Sequence, residues 1–221
     1  AAAPTLLTQM KTLKRKLYPY QREGVRRVFE ARRLLLADDM GLGKTTQAIA
    51  VCHALFRAEE VARGLVVVPA SLKDQWLREW TATTDTPAAI LEGRAEERHA
   101  TLRRTRRGFL MMSYEQLLRD LAEVHRFAPE VVVIDEAQRI KNWATKSSLS
   151  VKTLSPEWRL VLTGTPMENR LEELASVLDW VDDVALTPKW RLAPWHTTFE
   201  GGGGRGRSEE RRVGKECTIQ C

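Results

Sequence analysis

The stretch Ala37-Asp38-Asp39-Met40-Gly41-Leu42-Gly43-Lys44-Thr45-Thr46 constrains the fold of this chain more than any other. An apolar run, Leu34 to Leu36, leads into it. A segment of helical spacing leads out, with Ala48, Ile49, Cys52, Leu55 and Phe56 on one stripe. A glycine-rich turn between a strand and a helix lets backbone N–H groups curl around phosphates, and the helix N-terminus adds its positive end. In that setting Lys44 reaches the β and γ phosphates and the Thr45 hydroxyl ligates Mg²⁺.

The rest of the sequence supplies the sheet such a loop needs. Short apolar runs at Arg33 to Ala37, Gly64 to Val68, Ala88 to Leu91, Phe109 to Met112, Val131 to Ile134 and Leu160 to Leu162 read as strands. Several are apolar on both faces, as buried parallel strands must be. Between them lie segments of helical period, including Leu72, Trp76, Leu77 and Trp80 as one inward face and Leu171, Leu174, Leu178 and Val181 as another. Ser71 with Asp74 reads as a capping pair for the helix after Pro69. The expected fold is α/β, a mostly parallel sheet with helices on both faces.

Val131-Val132-Val133-Ile134-Asp135-Glu136-Ala137-Gln138 is the second informative stretch, an apolar strand ending in two acids. At the carboxyl edge of a parallel sheet Asp135 can hold Mg²⁺, directly or through water, while Glu136 polarises an attacking water. Phosphoryl transfer gains mainly from positioning and charge neutralisation, so Lys44, Asp135 and Glu136 form the expected catalytic set.

Composition adds exclusions. With 221 residues, 43% hydrophobic and 29% charged, the chain is ordinary for one globular domain, and its net charge of +6 favours a polyanionic partner. No apolar stretch approaches a membrane span, and Ala1 to Thr12 lacks the core of a secretory signal, so an intracellular protein is expected. Three cysteines build no disulfide framework; Cys52 beside His53 reads as a buried structural residue.

In order along the chain, these motifs resemble superfamily II helicases of the DEAD/DEAH type, and within them the Swi/Snf group. Leu17-Tyr18-Pro19-Tyr20-Gln21-Arg22-Glu23-Gly24-Val25 resembles the family's Q-type motif, which implies that Gln21 reads the adenine edge. Asp39-Met40-Gly41-Leu42-Gly43-Lys44-Thr45 resembles motif I, with Asp39 where glutamate is usual. Asp38, in place of the first glycine of a strict phosphate loop, fits this helicase type. Val66 to Leu72 with Trp76 and Glu79 resembles motif Ia, Met112-Ser113-Tyr114-Glu115 the next block, and Leu162 to Asn169 motif III. Asp135-Glu136-Ala137-Gln138 resembles motif II with glutamine in place of histidine. The resemblance runs from about Leu17 to Val181.

It implies a RecA-like P-loop NTPase lobe that binds ATP with Mg²⁺. The ATP-binding residues would be Gln21, Asp39, Met40, Gly41, Leu42, Gly43, Lys44, Thr45 and Thr46, with Thr45 and Asp135 toward the metal. Gln138, Thr163, Gly164 and Thr165 would couple the nucleotide to DNA, and Ser71, Lys73 and Tyr114 would meet the backbone of double-stranded DNA. The family hydrolyses ATP between two such lobes, the second supplying arginines, and nothing after Val181 resembles that second lobe. An arginine finger is worth ~10³ to 10⁵ in rate in comparable NTPases. The chain is therefore expected to be a monomer that binds ATP and hydrolyses it very slowly.

The expected organisation is an N-terminal extension over 1–16, the ATP-binding lobe over 17–186, an irregular segment over 187–200 and a disordered tail over 201–221. Arg207 to Cys217, RSEERRVGKEC, matches the translation of a common sequencing adapter, so the tail reads as non-native and Cys217 and Cys221 as binding nothing. The arginines Arg94, Arg98, Arg103, Arg104, Arg106 and Arg107 are interleaved with Glu96 and Glu97, the pattern of an exposed helix rather than a DNA patch. The tryptophans Trp76, Trp80, Trp143, Trp158 and Trp180 read as packing residues, and His99, His125 and His196 as isolated. The whole protein is expected to be an ATP-driven DNA translocase, in the bacterial nucleoid or a eukaryotic nucleus. The alternatives are a nucleotide- and DNA-binding module without turnover, or another superfamily II motor acting on RNA or in restriction.

Overall fold

In the computed structural model, residues 3–36, 41–135, 150–163 and 180–181 are described. Six strands, β1 (Arg33–Leu36), β2 (Arg63–Val68), β3 (Ala88–Ile90), β4 (Gly108–Ser113), β5 (Val131–Ile134) and β6 (Trp158–Leu162), pair in parallel in the order β1-β6-β5-β2-β4-β3. All six match the apolar runs of the sequence.

Strand alternation divides the sheet between two cores. Val66, Val68, Phe109, Met111, Val131, Val133, Leu160 and Leu162 face one way, toward α1 (Ala3–Gln9), α2 (Pro19–Ala31), α3 (Lys44–Arg57) and α4 (Lys73–Thr83). Leu65, Val67, Leu110, Met112, Val132, Ile134 and Val161 face the other way, toward α5 (Ala95–Arg104), α6 (Tyr114–Arg119) and α7 (Leu121–Phe127). Covering both faces explains why these strands carry almost no polar residue.

Helix α3 is buried on nearly every side, from Thr46 to Leu55, not along the single stripe its spacing suggested. The extra cover comes from the N-terminal segment: Leu6 of α1 is fully buried in the same cluster as Ala48, Ile49 and Val51. Residues 3–16 are thus tied to the lobe. Lys14 donates its backbone N–H to Thr83 O and its ammonium to Thr81 O, and Arg15 pairs with Glu79.

Cys52 is buried, and desolvation pushes its thiol pKa well up, consistent with a packing role. Its neighbour does more than the sequence indicated. His53, fully buried, joins Thr12 at 2.7 Å through Nε2 and Thr84 and Thr86 at 2.6 and 3.1 Å through Nδ1. Desolvation, reinforced by Arg57, lowers its pKa below the ordinary 6.5. The unfolded chain therefore binds a proton that the folded chain refuses, and stability is lost as pH falls below 6.5. In urea titrations His53→Phe should flatten that acid limb between pH 7 and 5; an unchanged slope would remove His53 as its source.

Helices α6 and α4 begin in different ways. Ser113 and Gln116 form a reciprocal capping box at α6. At α4 the expected Ser71–Asp74 cap is absent: a 3-10 turn over Ala70–Leu72 precedes the helix, whose N-cap is Leu72 with no side-chain bond. The 3-10 turn, closed by Leu72 N–H to Pro69 O, moves Ser71 out of capping position.

Candidate functional site

Helix α3 begins directly after the turn Gly41–Gly43. Gly43 is its N-cap, in the left-handed region at φ +72°, and as a glycine it contributes no side-chain cap. Gln21, buried on α2, reaches across to this turn. Its Nε2 donates to Leu42 O at 3.3 Å, while its Oε1 accepts the N–H of Tyr18 at 3.0 Å. An amide has a second N–H and a second lone pair, so both edges retain capacity for another partner. Tyr18 and Tyr20 stack beside it, ring centroids 5.8 Å apart, and both stand exposed.

A Cβ on Gly43 would overlap Gln21 Nε2. Left-handed backbone costs a substituted residue roughly 1–2 kcal/mol in addition. Gly43→Ala is expected to weaken binding of a fluorescent ATP analogue about tenfold. Unchanged affinity would mean that this turn does not shape the site.

Lys44 and Thr45 occupy the first turn of α3, and Thr46 donates its hydroxyl to Glu79 Oε1 at 3.0 Å. Across the sheet, Asp135 follows the last residue of β5 and its N–H bonds Val67 O at 2.9 Å. Between the two lies β6, after which the buried Thr163 donates its N–H to Leu36 O at 3.1 Å. The ends of β1 and β5 are two strand spacings apart, about 10 Å. The Asp135 carboxylate accepts the indole N–H of Trp76 at 2.7 Å on Oδ2, and its backbone carbonyl accepts the Tyr114 hydroxyl at 2.5 Å. Asp39, Met40, Glu136, Gln138, Gly164 and Thr165 lie outside the described residues.

Of the expected DNA contacts, Ser71 is exposed and Lys73 half-buried at the start of α4. Tyr114, the third of them, is 3% exposed and donates its hydroxyl to the Asp135 carbonyl.

The arginine cluster is mostly surface, as its interleaved acids suggested, with one exception. Arg98 is 8% exposed and forks onto Asp120 at 2.6 and 2.9 Å, while His99, far from isolated, reaches the same carboxylate at 2.9 Å. Arg103 and Arg126 pair with Glu123. Trp76, Trp80, Trp158 and Trp180 are buried as expected, and Trp143 lies outside the described residues. Periodicity could place Trp76 inward but gave no sign that its N–H would meet Asp135.

Comparison with known proteins decides the family. The SNF2-related domain matches residues 20–200. The chain belongs to this family. Its fold is the RecA-like N-terminal lobe of a Swi/Snf-type ATPase. The SWI2/SNF2 ATPase core of Sulfolobus solfataricus, solved in complex with double-stranded DNA, superposes with a TM-score of 0.69 at 34% identity, over 77% of this chain and 36% of that one. Bovine "DNA excision repair protein ERCC-6-like" is 35% identical over 76% of this chain and 15% of its own length. The Saccharomyces cerevisiae "ISWI chromatin-remodeling complex ATPase ISW1" is 35% identical over 75% of this chain and 16% of its own length. This SNF2 lobe therefore spans about a sixth of the curated relatives it matches. Among the described residues no helix is long and apolar enough to cross a membrane.

The donors of the SNF2 lobe fit a nucleoside triphosphate with a divalent cation. A helix N-terminus with a glycine N-cap and a lysine in its first turn suits phosphates, and a threonine hydroxyl with a carboxylate on the same sheet edge suits a hard cation.

Proposed function

We propose that this SNF2 lobe binds ATP with Mg²⁺ and belongs to an ATP-driven translocase on double-stranded DNA. The observation that carries the reading is the common sheet edge shared by Lys44 and Thr45 at the start of α3 and Asp135 at the end of β5. Lys44 would engage the β and γ phosphates, the first N–H groups of α3 would cradle them, and Gln21 would hold the adenine edge. Thr45 and Asp135 would hold Mg²⁺, which when bound neutralises charge on the phosphates. Glu136 would orient and deprotonate the attacking water.

Thr163, between the two halves, would pass the loss of the γ phosphate toward the DNA face, together with Gln138, Gly164 and Thr165. Ser71 and Lys73 at the start of α4 would meet the DNA backbone, a sequence-tolerant contact suited to tracking along a duplex. The solved relative bound to double-stranded DNA supports this partner over RNA. Such work places the protein in the nucleoid of a bacterial cytoplasm or in a nucleus.

The lobe presents one wall of the site, and turnover would need arginines from a second RecA-like lobe. ATPase assays with double-stranded DNA, single-stranded DNA and RNA, on this chain and on a two-lobe version, test the proposal. Fast hydrolysis only with both lobes and duplex DNA is expected. Equal, negligible rates in both would leave a binding module, and stimulation by RNA alone would point to a different motor.

A further inference from the structure

Helix α4 begins at the residues proposed to meet DNA, yet its inner face reaches both halves of the nucleotide site. Trp76 and Glu79 are three residues apart and so lie side by side on the helix. The Trp76 ring is 2% exposed, and its N–H meets Asp135 Oδ2 at 2.7 Å. Glu79 Oε1 accepts the Thr46 hydroxyl at 3.0 Å, in the first turn of α3, and the Arg15 guanidinium at 2.8 Å. One short helix thus holds the carboxylate proposed for the metal and the helix start proposed for the phosphates.

We propose that Trp76 and Glu79 are positioning residues of the nucleotide site, Trp76 by fixing the Asp135 carboxylate and Glu79 by fixing the start of α3. This rests on the ATP and Mg²⁺ reading given above. An indole N–H is a donor only, so it suits a carboxylate. The ring is locked in the core by packing, which gives the hydrogen bond a fixed direction before any ligand arrives. Glu79 is half-exposed and Thr46 buried, so that contact ties the turn after Lys44 to α4. The Arg15 pair adds the N-terminal segment to the same strut. A shift of α4 on its DNA side would move both anchors together.

Trp76→Phe keeps an aromatic ring in the core and removes the N–H. Partners of metal-binding carboxylates typically cost about tenfold to a hundredfold in metal affinity when removed. Binding of Mn²⁺ in the presence of ATP, read by electron paramagnetic resonance on the chain, should weaken by that factor, while ATP affinity in EDTA stays within about twofold. A role in packing alone predicts lower melting temperature with unchanged Mn²⁺ affinity, and that result overturns the proposal for Trp76.

Glu79→Ala gives a second, more soluble test, because the side chain is partly exposed. It should lower ATP affinity severalfold even in EDTA, whereas Arg15→Ala, which leaves the Thr46 contact in place, should not. Equal losses in both variants would assign the effect to the ion pair and refute the role of Glu79. If the unmodified chain binds neither ATP nor Mn²⁺, the site reading itself fails and this inference falls with it. Failure in the variants alone leaves the site reading intact.

Discussion

Lys44→Ala is expected to weaken ATP binding by about a hundredfold, whereas Glu136→Gln leaves binding within about twofold and slows hydrolysis ~10²- to 10⁴-fold. The contrast follows from where each residue stands. Lys44 sits in the first turn of α3, where its ammonium would add to the field of the helix N-terminus and meet phosphates already in the ground state. A hydrogen bond between charged groups is worth about 1.5–3 kcal/mol, and the upper figure corresponds to about a hundredfold in affinity. Glu136 follows Asp135 in the sequence and is proposed to act on water, a contact that matters only as the bond forms.

Titration with a fluorescent ATP analogue, beside circular dichroism to confirm folding, checks the first variant on this chain. Single-turnover hydrolysis in a two-lobe version with duplex DNA checks the second. Wild-type affinity in Lys44→Ala would remove the phosphate site from the start of α3. Loss of binding in Glu136→Gln would show that Glu136 serves the ground state.

The second large effect concerns the other face of the sheet. Arg98→Ala should destabilise the lobe by about 3–5 kcal/mol, because it leaves a buried carboxylate without its guanidinium. Asp120 is 2% exposed and takes both arms of the Arg98 fork. Breaking the pair leaves it with His99. For a domain of this size the loss amounts to roughly 10 °C in melting temperature. Replacing both partners, Arg98→Met with Asp120→Leu, should recover most of the stability, since a packed apolar pair avoids the desolvation of two charges.

The same pair sets an acid limit. Burial raises the Asp120 pKa, but the hydrogen bonds from Arg98 and His99 outweigh it and bring the carboxyl below its ordinary 3.8. Its contribution is present above that value and is lost as pH falls through the lower folded pKa. Urea titrations of the three proteins at pH 7 and at low pH check both points. A loss under about 1 kcal/mol in Arg98→Ala would mark the pair as no better than a surface bridge.

Some features of this lobe were fixed by the linear order of residue types. Six apolar runs with helical segments between them leave little choice but a parallel sheet covered on both faces, because such strands have no polar side to show to water. Gly43 and Lys44 next to a strand, and an acid after Val131 to Ile134, bring the residues proposed for phosphate and metal to one sheet edge, because parallel strands all end on the same side.

Other features depend on partners far apart in the chain, and no local pattern encodes them. Arg98 looks like any helix arginine until α5 packs on the segment bearing Asp120, and Tyr114 looks like a surface contact until β5 brings the Asp135 carbonyl under its hydroxyl. His53 acquires its three threonines from residues 12, 84 and 86, and Trp76 acquires Asp135 from a strand on the far side of β2. Periodicity tells which side of a helix is dry. Which polar atom waits there is decided by how the helices dock, since a hydrogen bond depends on distance and direction that only packing sets.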